Sequence, residues 1–452
     1  MRVLSLCSIF LLFFCCTQTV QAFELIRNRQ ACFSVKLPEN PDPAEQRARE
    51  ELAICLRKSC DAELTDNADQ IILIGTADRL PDLPEKVRHA FSNRQQNDTF
   101  YLLTTEKILY VVGNRPFAAL AGTCELLEKA FGVRWFYPGE SGEHYPQHEN
   151  LTLPGIDQCQ TADFKYREFN ICGNSTNFPS TYDWLARNKM YGSGPHSWQL
   201  PNMTPAQKQE YRQALGAYKA VGGHEFFREA VPPQLLEQNP EMFALKNGKR
   251  TAEGRINRCL SHPGVIRNSA EYYRNAFREN PATLGVFIGE DDSNAFCECE
   301  LCQQMGTWNG KFSISNLFHL FFQKIAVEVL QEFPQADLEF FAYWNYRTLP
   351  ENPAAFHLSS NSYVLYATHQ RCYAHPFNAE NLCNREIFDG MLAWKACNMK
   401  LGIYDYRYDS GCFYAPFEEI VASDLKTFHQ LGVVKWTDET NAGEGNVLEK
   451  HP

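Results

Sequence analysis

One short stretch of the sequence combines acidic residues with closely spaced cysteines. Glu290, Asp291 and Asp292 follow a short apolar run, and a Cys-x-Cys-x-x-Cys motif begins five residues after Asp292. Carboxyl groups this close together raise one another's pKa, which favours one of them staying protonated as a proton donor near neutral pH. In an extended backbone Glu290 and Asp292 share one face, with Asp291 on the other. The stretch therefore predicts acid/base chemistry, with a solvated acidic loop or a calcium-like oxygen cluster as the alternative.

The cysteine motif predicts a structural element beside these acids. Cys297, Cys299 and Cys302 could supply three thiolate ligands to a structural zinc ion. The same residues could instead form disulfides, which are the default for cysteines of an exported chain. A catalytic thiol is disfavoured, because cysteines this close together in an oxidising compartment tend to be paired or metal-bound. Candidates for the remaining partner are Cys259, Cys372 and Cys383.

An alternation of strands and helices after residue 160 is expected to position these groups. Strands are predicted at 165–171, 217–222, 257–260, 284–289, 338–343, 362–368, 401–406 and 432–437. Helices are predicted between most of them, at 181–190, 204–215, 264–279, 313–332, 384–398 and 416–431. This α/β pattern is typical of a (β/α)8 TIM-type barrel; a doubly wound sheet would be expected to carry a glycine-rich phosphate turn after its first strand. Little chain follows the eighth strand, so we expect a barrel that is truncated there and closes imperfectly.

The carboxyl ends of the strands form the rim on which barrels of this kind build their sites. Nearly every predicted strand delivers a carboxylate, a histidine or an aromatic ring to that rim, and aromatic rings can stack on sugar faces. A ring-lined polar pocket is therefore predicted, although each ring or histidine could also have a purely structural role. The candidate substrate-binding residues are His196, Trp198, His224, Tyr343, Trp344, His369, Tyr404 and Tyr406.

Two carboxyl groups on this rim would suit the hydrolysis of a glycosidic bond. That reaction needs one carboxyl as proton donor and another as nucleophile or base. Asp292 lies furthest toward the rim and is the first candidate for the acid, with Glu439 and Asp405 as candidates for its partner. Gly-x-Ser-x-Gly, His-Glu-x-x-His and P-loop motifs do not occur in the sequence, which disfavours serine hydrolases, zinc proteases and P-loop NTPases.

The composition favours a folded, exported protein. The chain is 44% apolar and 13% aromatic, which allows large cores and argues against disorder. Its formal charge of −11 disfavours a nucleic-acid partner. Residues 1–22 resemble a secretory signal peptide cleaved after Ala22, and no other window is long and apolar enough to span a membrane. We therefore expect a secreted or periplasmic protein with an oligo- or polysaccharide substrate and no required cofactor.

The region before the barrel predicts a domain of its own. Residues 23–155 combine helical patterns at 43–60 and 115–131 with strands at 70–75, 99–105, 108–113 and 133–137. A Pro/Gly-rich link from 138 to about 159 separates them from the barrel domain at 160–452. We expect this accessory domain to serve in packing or auxiliary binding.

Several spaced motifs resemble a known family, the domain of unknown function 4838 (DUF4838) family. They comprise Asp292 with Cys297-Glu-Cys299-Glu-Leu-Cys302, Ala342-Tyr-Trp344, Cys372 with His375 and Cys383, Asn239-Pro-Glu-Met-Phe243 with Gly248-Lys-Arg250, and Ile403-Tyr-Asp-Tyr406. The resemblance covers roughly 165–440 and implies a secreted, carbohydrate-active TIM-type barrel. Upstream, the residues from Val111-Val-Gly113 to Phe131-Gly-Val-Arg-Trp-Phe-Tyr-Pro138 resemble the accessory domain that precedes barrels in bacterial β-hexosaminidases and α-glucuronidases.

The acidic stretch also resembles a motif of glycoside hydrolase family 20. Ile288-Gly-Glu-Asp-Asp292 is similar to the strand-four Gly-Gly-Asp-Glu of that family. The resemblance implies that Asp292 stands where that family has its glutamate acid, and that Asp291 stands at its substrate-assisting aspartate. Two functions follow as hypotheses: a glycoside hydrolase, or a non-catalytic glycan-binding barrel. A lyase or metal-dependent enzyme is a third reading.

Overall fold

The computed structural model of the protein describes most of the chain. The described residues are 22–92, 97–172, 178–190, 199–216, 219–220, 226–252, 257–280, 283–289, 293, 295–356, 361–378, 380–406 and 418–441. Within them the fold is mixed α/β. None of the helices in this part of the chain combines the length and apolar character that crossing a bilayer requires.

In its described residues, the first part of the chain forms a five-stranded sheet, a three-stranded sheet and the short antiparallel pair β7–β8, together with three helices. Its strands are β1 (Phe23–Arg27), β2 (Gln30–Ala31), β3 (Phe33–Lys36), β4 (Gln70–Thr76), β5 (Thr99–Thr104), β6 (Ile108–Gly113), β7 (Arg134–Trp135), β8 (Glu143–His144), β9 (Leu151–Leu153) and β10 (Asp157–Thr161). Its helices are α1 (Pro43–Cys60), α2 (Glu85–Ala90) and α3 (Pro116–Leu126). The order β10-β5-β6-β4-β3 makes a five-stranded mixed sheet, and β2-β1-β9 makes a three-stranded one.

Local sequence signals account for the ends of these helices. Asp42 caps α1 by accepting a hydrogen bond from the amide of Ala44, while Glu45 accepts one from the Asp42 amide in a capping box. After α3 the chain continues as one π-helical turn, Leu127–Phe131, and ends at Gly132 with a φ of 71°. Glycine is favoured there because the left-handed region strains other side chains. The helices predicted at 43–60 and 115–131 are therefore confirmed, whereas only Arg134–Trp135 of the strand predicted at 133–137 is extended.

The second part of the chain alternates strands and helices around a parallel sheet. Its strands are β11 (Tyr166–Cys172), β12 (Lys219–Ala220), β13 (Leu245–Lys246), β14 (Lys249–Arg250), β15 (Gly285–Ile288), β16 (Thr307–Trp308), β17 (Lys311–Phe312), β18 (Asp337–Ala342), β19 (Tyr363–Ala367), β20 (Lys400–Asp405) and β21 (Lys435–Asn441). Its helices are α4 (Phe178–Arg187), α5 (Pro205–Ala214), α6 (Phe226–Ala230), α7 (Pro263–Glu279), α8 (Glu300–Gly306), α9 (Ile314–Glu332), α10 (Arg385–Ala396) and α11 (Glu418–Gln430). Six of these helices match the six predicted ones to within a few residues.

The parallel sheet has seven strands in the order β11-β21-β20-β19-β18-β15-β12. Among the described strands of this sheet, the last in sequence, β21, lies beside the first, β11, with Tyr166 opposite Lys435 and Cys172 opposite Asn441. β12 pairs directly with β15. The curled parallel sheet agrees with the expected class of fold, but a complete eight-stranded barrel is not formed by the described residues.

Side-chain contacts across the sheet establish its curvature. Lys435 on β21 forms an ion pair with Glu339 on β18 at 2.9 Å, although β20 and β19 lie between those two strands. In a flat sheet three strand spacings would separate them by about 14 Å, since neighbouring strands lie about 4.8 Å apart. The sheet must therefore curl around these side chains, which fill its concave interior.

A buried ionic cluster occupies the lower layer of this interior. The Lys435 ammonium is fully buried and pairs with both Glu168 and Glu339, and the hydroxyl of Tyr363 donates a hydrogen bond to Glu339. Burial opposes the charge on Lys435, but the two carboxylates outweigh it and raise the pKa of Lys435. A cation held between two anions is a satisfied arrangement, whereas either carboxylate alone would be costly to bury. The sequence pattern did not predict this cluster.

The strand predicted at 257–260 is not part of the sheet, which corrects the expectation of eight strands. Arg258 makes only an isolated antiparallel bridge to Phe243, and its guanidinium lies over the Phe243 ring at 4.7 Å. Its Nε also donates a hydrogen bond to the carbonyl of Val231. Local packing thus holds this segment away from the parallel sheet. The pattern of the sequence alone could not distinguish a strand of the sheet from a segment packed in this way.

Ion pairs join the first sheet region to the helices of the second. Glu51 on α1 accepts bonds from Arg47 and from Arg187 on α4, and Arg47 also pairs with Asp183. Glu51 is buried and the other three side chains are at most 26% exposed, so solvent screens their charges only in part. The boundary between an accessory domain at 23–155 and a barrel domain at 160–452 remains a prediction.

Candidate active site

Part of the predicted site lies outside the described residues. This applies to the proposed acid Asp292, to Asp291, and to the binding candidates His196, Trp198 and His224. Residues 1–21 of the predicted signal peptide also lie outside them. The candidate residues that the structure does describe lie at the carboxyl ends of β11 and of β18 to β21.

Glu439 lies near the carboxyl end of β21, opposite Asn170 of β11. Glu439 lies two and four residues after Thr437 and Lys435, so it shares their face, the interior face of the curled sheet. The hydroxyl of Tyr404 donates a hydrogen bond to Oε2 of Glu439, and the side-chain amide of Asn170 donates one to the Tyr404 hydroxyl. These bonds orient the half-buried carboxylate. Asn170 was not among the predicted site residues, although Glu168 and Asn170, two residues apart on one face of β11, carry the signal.

Aromatic rings continue from Glu439 along the rim. Tyr404 and Tyr406 lie 4.8 Å apart between ring centroids, and Tyr406 is 5.3 Å from the ring of His369. His369 in turn lies 6.2 Å from Tyr343 and 6.5 Å from Trp344. The structure thus brings five of the predicted binding residues into one set of ring contacts, which we call the aromatic wall. Its members are Tyr343, Trp344, His369, Tyr404 and Tyr406.

Two residues of this rim have left-handed backbone conformations. Trp344 follows β18 with a φ of 42°, and Gln370 follows β19 with a φ of 70°. Such conformations cost roughly 1–3 kcal/mol for residues other than glycine, and they cluster at functional sites. Trp344 is also 49% exposed, which is unusual for so large an apolar ring. An exposed indole on a strained turn is a suitable platform for a ligand.

Asp405 is separated from Glu439 by the sheet itself. It follows Tyr404 by one residue and therefore faces the opposite side, where it is fully buried. The hydroxyl of Thr368 donates a hydrogen bond to it at 2.7 Å, and Arg371 pairs with it at 3.3 Å. Arg371 also pairs with Asp424 of α11 at 2.9 Å. These contacts correct the expectation that Asp405 shares the rim with Glu439, because they give it a structural role between sheet and helix.

The cysteines divide into two groups. Cys259 lies with the motif cysteines, its Sγ 3.6 Å from that of Cys299 and 3.8 Å from that of Cys302. Hydrogen bonds from Cys297 and Cys302 lower the pKa of the Cys259 thiol. The ligand atoms of Cys259, Cys297, Cys299 and Cys302 all lie within 4.8 Å of one another. Among the described cysteines all are free thiols, so the disulfides that the sequence left open are not observed there.

Cys372 and Cys383 are in the second group and not beside the motif. Their sulfurs lie 3.3 and 3.5 Å from Nδ1 of His375. The hydrogen bond to His375 lowers the pKa of the Cys372 thiol. Of the three possible partners for the motif, the structure therefore selects Cys259. His375 was noted in the sequence only as part of a family pattern.

A family model supplies the decisive comparison. The model of the domain of unknown function DUF4838 matches residues 137–451, which is well over half of the chain. The chain belongs to the DUF4838 family. The resemblance inferred from the spaced motifs is thereby confirmed. No curated protein sequence matches this DUF4838 chain.

Two solved structures of similar fold are glycoside hydrolases. A family GH115 4-O-methyl-α-glucuronidase with specificity for decorated arabinogalactans superposes with a TM-score of 0.57 at 13% identity, over 94% of this chain and 56% of the other. A GH138 enzyme that targets pectin rhamnogalacturonan II superposes with a TM-score of 0.50 at 10% identity, over 90% of this chain and 58% of the other. The DUF4838 chain thus spans less than two thirds of the length of these enzymes. At such low identity the comparison establishes a shared fold.

Proposed function

We propose that this DUF4838 protein is a glycoside hydrolase in which Glu439 acts as nucleophile or base. One observation carries the proposal: Glu439 faces the sheet interior, held by Tyr404, at the end of the aromatic wall. A catalytic carboxylate must be oriented toward the scissile bond, and the phenol fixes that orientation. The phenol that orients it accepts a hydrogen bond from Asn170, as a preorganised site requires.

The aromatic wall supports a carbohydrate as the substrate class. Sugars present apolar faces that stack on rings such as the exposed indole of Trp344, while His369 and the tyrosine hydroxyls can hydrogen-bond to sugar hydroxyls. The curled parallel sheet shared with two glycoside hydrolases adds support at the level of the fold. We expect an oligo- or polysaccharide substrate and no nucleic acid.

The acid in this proposal is Asp292, with Asp291 beside it as an assisting carboxyl. Both follow β15, which lies in the same curled sheet as β21. The proposal includes export directed by residues 1–22, whose sequence resembles a secretory signal peptide. No catalytic cofactor is needed, because the two carboxyl groups supply the proton and the nucleophile or base.

A panel of chromogenic aryl glycosides, including uronides, tests the proposal. We expect the wild-type chain to cleave at least one of them, and Glu439→Gln and Asp292→Asn to lose about 10²- to 10⁴-fold in kcat. Glu419→Gln is the matched control, because Glu419 is an exposed carboxylate on α11. A Glu439→Gln variant that folds and retains the wild-type rate would overturn the assignment.

The aromatic wall also supports a second function, non-catalytic glycan binding. This alternative predicts that the wild-type chain retains polysaccharides in affinity electrophoresis but cleaves none of the glycosides. It further predicts that Trp344→Ala weakens retention while Glu439→Gln leaves it largely unchanged. Turnover of a glycoside therefore separates the two functions. A loss of retention in Trp344→Ala but not in Glu439→Gln would indicate binding without catalysis.

A further inference from the structure

We propose that Cys259, Cys297, Cys299 and Cys302 bind a structural zinc ion. Zinc binds thiolates tetrahedrally at about 2.3 Å, so two sulfurs on one ion lie about 3.8 Å apart. The two sulfur separations given above are 3.6 and 3.8 Å. A disulfide would require about 2.05 Å. These two separations match those between ligands of one ion, and all four sulfurs lie within 4.8 Å of one another.

Neighbouring hydrogen-bond donors are directed at the sulfurs. The amide of Leu245 donates to Sγ of Cys297 at 3.2 Å, and the hydroxyl of Ser261 lies 3.1 Å from Sγ of Cys302. Donors of this kind stabilise metal-bound thiolates and fix their orientation. The amide of Glu298 also donates to the carbonyl of Leu245, so the β13–β14 hairpin is fastened to the cysteine motif.

The proposed ion has a structural and not a catalytic role. Three of the four cysteines are buried and Cys299 is half-buried, and four protein thiolates fill the coordination of zinc. The site joins Cys259, just before α7, to the start of α8, which follows the segment after β15. The ion would therefore hold the start of α8 against the segment that precedes α7. This structural role does not depend on whether the protein is a hydrolase.

Metal analysis of the full-length chain, purified without reductant or chelator, tests this site. We expect zinc by mass spectrometry, with one equivalent per chain lost in Cys259→Ser and retained in Cys397→Ser, a half-buried cysteine outside both groups. Because Cys259→Ser could fail to fold, cobalt reconstitution of the wild-type chain is a second measurement. An intense thiolate-to-cobalt absorption band is expected. Four readily alkylated thiols without bound metal, or disulfides among these cysteines, would overturn the proposal.

We infer a second metal site from an independent observation, the cluster of Cys372, His375 and Cys383. Tetrahedral zinc with one imidazole and one thiolate places nitrogen and sulfur about 3.6 Å apart, and the observed separations are 3.3 and 3.5 Å. Asn384 holds the loop, because its side chain accepts a bond from the Cys372 amide and donates to the carbonyls of Cys372 and His375. The described residues supply three ligands.

Zinc stoichiometry distinguishes the two sites. We expect two equivalents per wild-type chain, one in His375→Ala and one in Cys259→Ser, and none in the double variant. His89→Ala is the control, because His89 is an exposed histidine on α2. If His375→Ala retains two equivalents, the second site is wrong. If it loses both, the two clusters are not independent.

Discussion

Tyr404 and Glu439 lie on adjacent parallel strands, and the Tyr404 phenol donates a hydrogen bond to the Glu439 carboxylate. The pair lies on the interior face of the curled sheet, between the buried Lys435 cluster and the other members of the aromatic wall. Asn170 lies on β11, on the other side of β21, and its side-chain amide donates a hydrogen bond to the Tyr404 hydroxyl. Three strands therefore converge on one carboxylate, which is an economical way of giving it a single orientation.

Tyr404→Phe should reduce kcat on any glycoside that the wild-type chain cleaves. The change keeps the ring of the aromatic wall but removes a hydrogen bond to a charged group, worth about 1.5–3 kcal/mol. That corresponds to a decrease of about 10- to 150-fold, with little change in KM. Tyr101→Phe is the matched control, because Tyr101 donates a similar bond to Asp157 at 2.6 Å in the other sheet. If Tyr404→Phe and Tyr101→Phe have the same kcat, the result would argue against a role for Glu439.

Trp344→Gly should be more stable than Trp344→Ala, the reverse of the usual order. Glycine ordinarily destabilises relative to alanine by about 0.5–1 kcal/mol, but here the φ of 42° favours the residue without a Cβ. We expect a difference of about 1 kcal/mol in the free energy of unfolding in urea. Both variants should lose glycan retention, since both lack the indole. If alanine is the more stable, the left-handed conformation is not imposed by the fold.

Lys435→Met should destabilise the chain by about 3–5 kcal/mol, because it leaves Glu168 and Glu339 buried without their cation. Chemical denaturation at neutral pH measures the loss. Lys311→Met is the control: Lys311 pairs with Glu351 at the surface, and such pairs contribute about 1 kcal/mol or less. A loss as small as that of the control would show that the carboxylates find other compensation.

Acidification should weaken the fold through His319 on α9. Burial lowers the pKa of His319 from 6.5 to about 4, although its bond to the Tyr346 carbonyl raises it in part. The folded chain keeps this imidazole neutral while the unfolded chain protonates it, so stability falls as the pH drops from 6.5 toward 4. Between pH 7 and pH 5 the contribution is about 2 kcal/mol.

The His319 contribution is measured by urea unfolding at both pH values. His319→Gln keeps a hydrogen-bond donor without a titrating group, so the difference between the two pH values should shrink by that amount. His429→Gln, at a histidine whose side chain is 57% exposed, should behave as the wild type does. An unchanged pH dependence in His319→Gln would assign the acid sensitivity to other groups.

Sequence periodicity predicted the elements well, but spatial partners less well. The sequence pattern predicted β20 and β21 as strands. Choosing Asp405 or Glu439 as the catalytic carboxylate, however, required knowing which face of each strand is interior. A one-residue offset reverses that face, and polar residues on both faces removed the usual contrast. Similarly, spacing identified Cys297, Cys299 and Cys302 as a unit, but Cys259 became their partner only through the packing of a segment that had been predicted as a strand.

The aromatic wall and the ionic cluster illustrate the same limit. Each wall residue was found individually, because it follows a predicted strand, but their ring contacts arise from the curvature of the sheet. Lys435, Glu168 and Glu339 are distant in sequence and meet only when β18 and β21 face each other. Curvature arises only when the strands assemble into a sheet. The pattern of apolar and polar residues along the sequence therefore does not predict which polar side chains the curved sheet brings together.

The pairing of β11 with β21 also determines when the sheet can be completed. These neighbours are separated by more than 260 residues of sequence, with Tyr166 opposite Lys435. During synthesis β11 emerges long before β21, so this ladder cannot form until β21 has left the ribosome. Non-local closure of this kind slows folding and leaves an edge open to misassociation. Refolding should therefore be slow, and its yield should fall steeply as chain concentration rises.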